Sequence, residues 1–534
     1  LSERPSLARG AAIVTIATAV SRVTGFVRVV VVAAAMGTTY LANVYQTANT
    51  APNVIFELVA AGVLTSVFVP TFVDYIVRGE KEEGWEAANA LASVALVALV
   101  GLAMVLGLAA PLVMRALTVG IADKALRAQE IALGATFLRL FAPQVVFYGA
   151  GMIMTGALHA NRRFALPAIA PIFNNLVVIG VYLTYAGMRG SRPPGVGGIT
   201  PAETWVLGAG TTFGVVAMTV CLIPELRKLG WRYRFRFDPK HPAVRKGARV
   251  GVWALGYAGG YQAGLIVVLL LANKVRGGVA AYQWAFTFFY LPHALFAVPI
   301  FHVLFTAMAE HAAKGEDEGF LARLRDGLSI LSFVLLPIAA FLIVAAQPLT
   351  RLTLQYGVMS GTDAELVARV LEAFAIGLPT YSAFLIYTRA FYAVSDAKTP
   401  ALVNAGAVAV ASGAGAILFL AGPKESSVEG LALGHSIGFF VGTVVIARLF
   451  TRRFGATGGT KLAATLVRTV GMSSLALAAM TVAQLVLPEG SKPAYLVNLV
   501  GTAAVGAGVY LAGMRLVRAP ELTRVASGLR RVFR

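Results

Sequence analysis

The chain has 534 residues, of which 58% are hydrophobic and 13% charged, and its net charge is +20. Soluble domains carry about 25% charged residues, so composition excludes an ordinary water-soluble fold and predicts a polytopic membrane protein. The apolar stretches are too long and too evenly apolar for barrel strands, which predicts an all-α bundle.

In chain order, fourteen spans are predicted: 11–36, 48–77, 87–115, 128–157, 165–188, 203–224, 247–272, 278–309, 324–347, 365–394, 399–421, 428–450, 462–487 and 494–515. With the N-terminus inside, the inner-side loops and tail hold 25 Lys and Arg and the opposite loops hold 9. That asymmetry follows the positive-inside rule and predicts that both termini lie in the cytoplasm. The basic balance is thus explained by topology, and nucleic acid is not expected as a partner. Cys221 is the single cysteine and lies in a predicted span, so neither a disulfide framework nor a thiolate metal site is expected. The first apolar run has no small-residue cleavage signal and reads as a retained helix.

That first span contains "VSRVTGFVRVVVVAAAMG", Val20 to Gly37, with Arg22 and Arg28 inside the apolar run. An arginine deep in a membrane helix costs roughly 2.5–3.5 kcal/mol on insertion scales. Six residues apart, the two lie 120° apart around a helix and fit one broad cavity wall, with Gly25 between them as a place to bend. Two arginines with no acid in their helix point to an anionic ligand, since a guanidinium fork suits phosphate. The bland alternative is pairing within the bundle, for which Glu57 in the second span is the obvious candidate. Asn49, Asn53 and Glu57 recur every four residues and form a polar stripe, fit either to line a cavity or to bond neighbouring helices. Pro52 removes a backbone donor beside that stripe and loosens the helix.

Two segments resemble each other. "ALHANRRFALP" (Ala157 to Pro167) closes the fourth predicted span, and "AFYAVSDAKTP" (Ala390 to Pro400) closes the tenth, 233 residues later. This suggests a parallel repeat: an N-lobe at 1–224, a basic cytoplasmic inter-lobe loop at 225–246, a C-lobe at 247–455, and two extra helices with a basic tail at 456–534. In the second segment, Asp396 and Lys398 read as a turn-closing pair. The inter-lobe loop carries "WRYRFRF", Trp231 to Phe237, which reads as an interfacial anchor or as a regulatory lipid or partner site.

No ATP-binding signature is present: "GATGGTK" (Gly455 to Lys461) lacks the glycine before lysine. The six histidines show no metal-ligand spacing, no catalytic triad can be identified, and a transporter rather than an enzyme is expected.

"SRVTGFVR", "APNVIFEL…GVLTSVFVP", "GALHANRRFALPAIAPIFNN" and "RAFYAVSDAKTP" together resemble the MurJ (MviN) lipid II flippases of the multidrug/oligosaccharidyl-lipid/polysaccharide exporter superfamily. The resemblance covers nearly the whole chain. It implies a carrier that moves undecaprenyl-pyrophosphate-linked peptidoglycan precursor from the inner to the outer leaflet by alternating access, for cell wall synthesis. It further implies that Arg22 and Arg28 line the central cavity and meet the pyrophosphate, and that the last two spans form a groove for the lipid tail. Three departures from the family pattern stand out: Val29 where an acid is common, Phe56 and Glu57 where arginines are common, and Phe286 and Thr287 in place of an Asp-Arg pair. Export of an anion from a negative interior is downhill by about 2.3 kcal/mol per charge per 100 mV, so no cofactor is expected and the membrane potential or an ion is the expected coupling. The seventh and eleventh spans hold no Asp or Glu, which does not support a carboxylate sodium site there. Membrane lipids and cytoplasmic cell-wall regulators are the further partners considered. Rival readings are a flippase for another undecaprenyl-linked glycan, a cation or drug antiporter, and a non-transporting scaffold for cell-wall enzymes.

Overall fold

A computed structural model of the protein describes residues 4–59, 81–241, 244, 259–260, 262–423, 427–455 and 459–522. Helices dominate, and no strand occurs among the described residues. The chain packs as two units, Leu1–Ala280 with Tyr356–Met359, and Ala281–Gln355 with Ser360–Arg534. The first holds α1 (Arg4–Met36), α2 (Tyr40–Val59), α3 (Lys81–Leu108), α4 (Ala110–Leu117), α5 (Lys124–Phe141), α6 (Gln144–Ala160), α7 (Ala165–Arg189), α8 (Pro201–Val220), α9 (Ile223–Lys228) and α10 (Gln262–Ala272). The second begins within α11 (Gly278–Pro292) and continues through α12 (Val298–Lys314), α13 (Asp317–Leu354), α14 (Gly361–Ile376), α15 (Leu378–Ala393), α16 (Lys398–Ala421), α17 (Ser427–Phe454), α18 (Gly459–Gln484) and α19 (Lys492–Leu516). This division describes packing, whereas the boundary expected near residue 246 describes an internal repeat.

The all-α membrane architecture expected from composition is present. Among the described residues, eleven helices are long and apolar enough to span a membrane, or twelve when α14 and α15 count as one bent span. The expected count of fourteen is not reached, because the second and seventh expected spans run into residues 60–80 and 245–258, which lie outside the described residues. α2 also starts at Tyr40 rather than at 48. Its early polar residues are buried against neighbouring segments, so they continue the helix instead of forming a loop.

Local chemistry explains the breaks. α14 and α15 meet at 47°, where Pro379 lacks the N–H that would bond the Ala375 carbonyl. Ser436 fills the adjacent space: its hydroxyl donates to the Ala373 carbonyl at 2.8 Å, and a Cβ on Gly377 would lie 2.8 Å from its Cα. Between α11 and α12, after Pro292, the turn His293–Ala297 is a π-helix.

The repeated segments share a backbone turn. Arg162 and Ser395 both take positive φ, 58° and 60°. Arg163 N–H donates to Leu158 O at 2.8 Å, and Asp396 N–H to Phe391 O at 2.9 Å. Each pair of positions is related by the same 233-residue offset that relates the two sequences. The expected Asp396–Lys398 closure gives way to a different one: Asp396 accepts from the Thr399 amide and hydroxyl and pairs with Arg453 on α17 at 2.5 Å. Lys398 already belongs to the first turn of α16, whose exposed N–H groups attract the carboxylate instead.

α16 and α17 approach each other closely. Gly430, Gly434, Gly438 and Gly442 recur every fourth residue on α17; Gly434, Gly438 and Gly442 face the small residues Ala407, Ala411 and Gly415 of α16, and Gly430 faces the Leu418–Phe419 backbone. A Cβ on Gly434 would lie 2.4 Å from the Gly415 backbone, and one on Gly438 would lie 2.5 Å from the Ala407 carbonyl. Small-residue ladders let backbones approach where lipid removes the usual hydrophobic drive.

Gly434→Ala should therefore destabilise the protein by about 1–3 kcal/mol, whereas Gly413→Ala, with open space around its Cβ, should be close to neutral. Thermal loss of the monodisperse species in detergent measures both. Burial pushes the Asp396 carboxyl up, but its bonds to Thr399 and Arg453 outweigh that and leave it below its ordinary range. Its contribution is therefore present above the unfolded carboxylate pKa and lost as pH falls through the folded value. Amide exchange across 394–399 should quicken on that acid side, and Asp396→Asn should remove the pH dependence.

Candidate functional site

α1 stays helical through Arg22, Gly25 and Arg28, which separates the arginines by about 9 Å along the axis and 120° around it. Arg22 is exposed and Arg28 half-buried. Gly25 leaves room for a neighbour: the first atom its Cβ would meet is Asn175 Nδ2, at 3.5 Å. That amide donates to the Ser21 carbonyl at 3.2 Å and to Thr24 Oγ1 at 3.1 Å, tying α7 to α1 between the two arginines.

Arg28 lies within electrostatic reach of three tyrosines, Tyr45 on α2, Tyr148 on α6 and Tyr182 on α7. Tyr45 is fully buried. Its hydroxyl lies 2.6 Å from Thr211 Oγ1 on α8 and 3.1 Å from the Tyr182 hydroxyl. Phe137 and Phe141 of α5 meet the Tyr45 ring edge to face, each at 5.5 Å. Such pairs align ring quadrupoles and hold the phenol in one place.

Among the described residues, Arg28 makes no ion pair and no hydrogen bond. Glu57, the partner considered for the arginines, is exposed and makes no ion pair among the described residues. The α2 stripe is correspondingly uneven. Asn49 Oδ1 is buried with no hydrogen-bond partner, Asn53 Nδ2 donates back to the Asn49 carbonyl at 2.9 Å, and Pro52 is buried within the continuous helix. Phe56 packs against Tyr148 with ring centroids 4.9 Å apart. A guanidinium carries five N–H donors and no acceptor, so Arg28 offers a fixed positive fork in a setting of phenols and aromatic edges.

Sequence reasoning missed the tyrosines, because they lie on three helices far apart in the chain. It also missed Asn43, placed in an expected loop. Asn43 is completely buried; its Nδ2 donates to the Val275 carbonyl at 2.8 Å and its Oδ1 accepts from the Val279 amide at 3.0 Å. Nearby, Thr47 donates to Asn273 Oδ1 at 3.2 Å, and Asn273 donates to the Leu117 carbonyl at 3.3 Å. Together these bonds fix the start of α2, and hence Tyr45, against the segment after α10. Asn43→Ala should cost about 1–3 kcal/mol for each backbone group it leaves unpaired. Asn43→Asp should keep the acceptor half of the bridge and lie between the alanine variant and the intact chain in chemical denaturation.

The family described as "Lipid II flippase MurJ" matches residues 32–501. A probable lipid II flippase MurJ of Rhizobium tropici is 28% identical over 442 residues, covering 82% of this chain and 79% of the relative. The lipid II flippase MurJ of Burkholderia cenocepacia is 27% identical over 402 residues, with 74% of each chain covered. In fold, the chain resembles a lipid II flippase MurJ solved in an inward closed conformation, with a TM-score of 0.77, 20% identity, and 94% of this chain and 98% of the other covered. A multidrug resistance MATE family transporter of the MOP superfamily follows at a TM-score of 0.67 and 14% identity, covering 82% of this chain and 96% of the other. With the family match extending over most of its length, this multi-pass membrane protein belongs to the lipid II flippase MurJ family.

Proposed function

We propose that the protein is a lipid II flippase that moves the precursor from the inner to the outer leaflet by alternating access, and that Arg28 meets the pyrophosphate. The observation that carries this reading is the half-buried Arg28, which has no ion pair and no hydrogen bond among the described residues. A cation kept in a membrane helix without a counter-ion is costly as a structural element and useful as a receptor for an anion that arrives and leaves. Family membership supplies the cargo class. Arg22, about 9 Å along the same helix, acts on the cargo's approach, and Asn49, with its buried unpartnered oxygen, accepts a hydrogen bond from the headgroup. Asn53 and Glu57 complete that wall of α2, and Gly25 and Pro52 are the points at which α1 and α2 flex between states.

The excess of Lys and Arg on one set of loops supports cytoplasmic termini. In that orientation the membrane potential favours outward passage of the pyrophosphate, and return of the empty carrier is the step to which an ion would couple.

Cells depleted of their own flippase and supplied with this chain should regain lipid II accessible at the outer leaflet. Arg28→Ala at equal membrane levels should reduce the rate at least tenfold, the loss of a charge-assisted contact of about 1.5–3 kcal/mol. Arg28→Lys, which keeps the charge but not the fork, should fall between the two. Full restoration by Arg28→Ala would remove Arg28 from the mechanism, and no restoration by well-folded intact chain would point to a different lipid-linked cargo.

A further inference from the structure

The aromatic-arginine segment after α9 does more than lie at a surface. Trp231 is buried, donates to Asn89 Oδ1 at 2.9 Å, and stacks on Trp85 with ring centroids 5.7 Å apart. Two residues on, the Tyr233 hydroxyl lies 3.0 Å from Ser93 Oγ, which also accepts from the Arg236 amide at 2.9 Å. The segment is thereby laid along the first turns of α3. Beneath it lies a cavity of about 700 Å³ between α3, α6 and α9, with a mostly apolar lining that includes Ala92, Leu96, Ile153 and Met154. The cationic groups in its wall are Arg227 and Arg232.

Three neighbouring cations are paired. Arg236 pairs with Glu86 at 2.6 Å, and Lys228 and Arg163 share Glu225 at 3.2 and 3.6 Å. Arg227 and Arg232, the two that border the cavity, are exposed and make no ion pair among the described residues. An apolar cleft with two uncompensated guanidinium groups at its mouth is complementary to an amphiphile with an acyl chain and a phosphate. Its volume lies in the range of ordinary ligand sites, about 300–1,000 Å³. Tryptophan and tyrosine set the headgroup depth, and the unpaired arginines select negative charge over zwitterions.

We propose that this cavity is a binding site for an anionic phospholipid of the leaflet that bathes the Trp231 segment, with an acyl chain between α3 and α6 and the phosphate on Arg227 and Arg232. The bound lipid joins the Trp231 segment to α3 and α6 and makes the packing of the first unit sensitive to the anionic lipid content of the membrane. The site is separate from Arg28 and does not depend on which cargo is carried.

Native mass spectrometry of the full purified chain, titrated with phosphatidylglycerol or phosphatidylethanolamine, tests this. Phosphatidylglycerol should bind at least tenfold more tightly. The double variant R227Q/R232Q should lose about 30-fold in that affinity, two surface charges at the usual worth of each. R234Q, which removes an arginine outside the cavity wall, should match the intact chain. Ala92→Phe, which fills the apolar cleft with both arginines in place, should also lose the lipid; should that variant misfold, the arginine pair decides alone. Equal affinity in R227Q/R232Q, or equal binding of phosphatidylethanolamine, would overturn the proposal. So would displacement by inorganic phosphate, which would mark an anion site without a lipid, or preference for undecaprenyl phosphate over phosphatidylglycerol.

Discussion

A positive charge held in a membrane helix without a counter-charge is the constraint around which the first unit is organised. In low dielectric such a charge must be paired, hydrated or neutralised. Arg28 is half-buried and unpaired among the described residues, and the helices around it contribute phenols and ring edges. Tyr45 is the centre of that arrangement, held by Thr211, Tyr182, Phe137 and Phe141. A carboxylate in the same place would quench the guanidinium and compete with any arriving anion. Phenols line its setting without cancelling its charge.

The same logic separates structural from available charge elsewhere. Arg369 is engaged by Glu365 at 2.9 Å and Glu429 at 2.5 Å, Arg453 by Asp396, and Arg192 by the buried Glu203. These pairs balance each cation with a carboxylate within the fold. Arg28, set among tyrosines inside the first unit, and Arg227 with Arg232, which line an apolar cleft, make no ion pair among the described residues. A cation's availability, rather than its presence, distinguishes a candidate site from a structural element.

Much of this was legible in the sequence. The helical membrane class followed from composition and span length, and the turn at Arg162 and Ser395 follows the 233-residue offset read from "ALHANRRFALP" and "AFYAVSDAKTP". Arg28 announced itself by its cost. The tyrosine shell did not, because a residue's neighbours across a bundle leave no local period in the chain. The start of α2 at Tyr40 was hidden because Asn43 and Thr47 look like loop residues until their partners near residues 273–279 are known. The four-residue glycine spacing on α17 was visible in the sequence, but its meaning depends on the small residues it meets on α16. Glu57, the candidate partner in the second span, is exposed and makes no ion pair among the described residues.

The most direct test of the account is equilibrium binding of lipid II to the purified chain, compared with an undecaprenyl glycopeptide lacking the pyrophosphate charge, in the intact protein and in Arg28→Ala. The account predicts a clear preference for the charged form that weakens with salt in the intact chain and collapses in the variant. An undiminished preference in Arg28→Ala would contradict it and would place recognition of the anion on other residues.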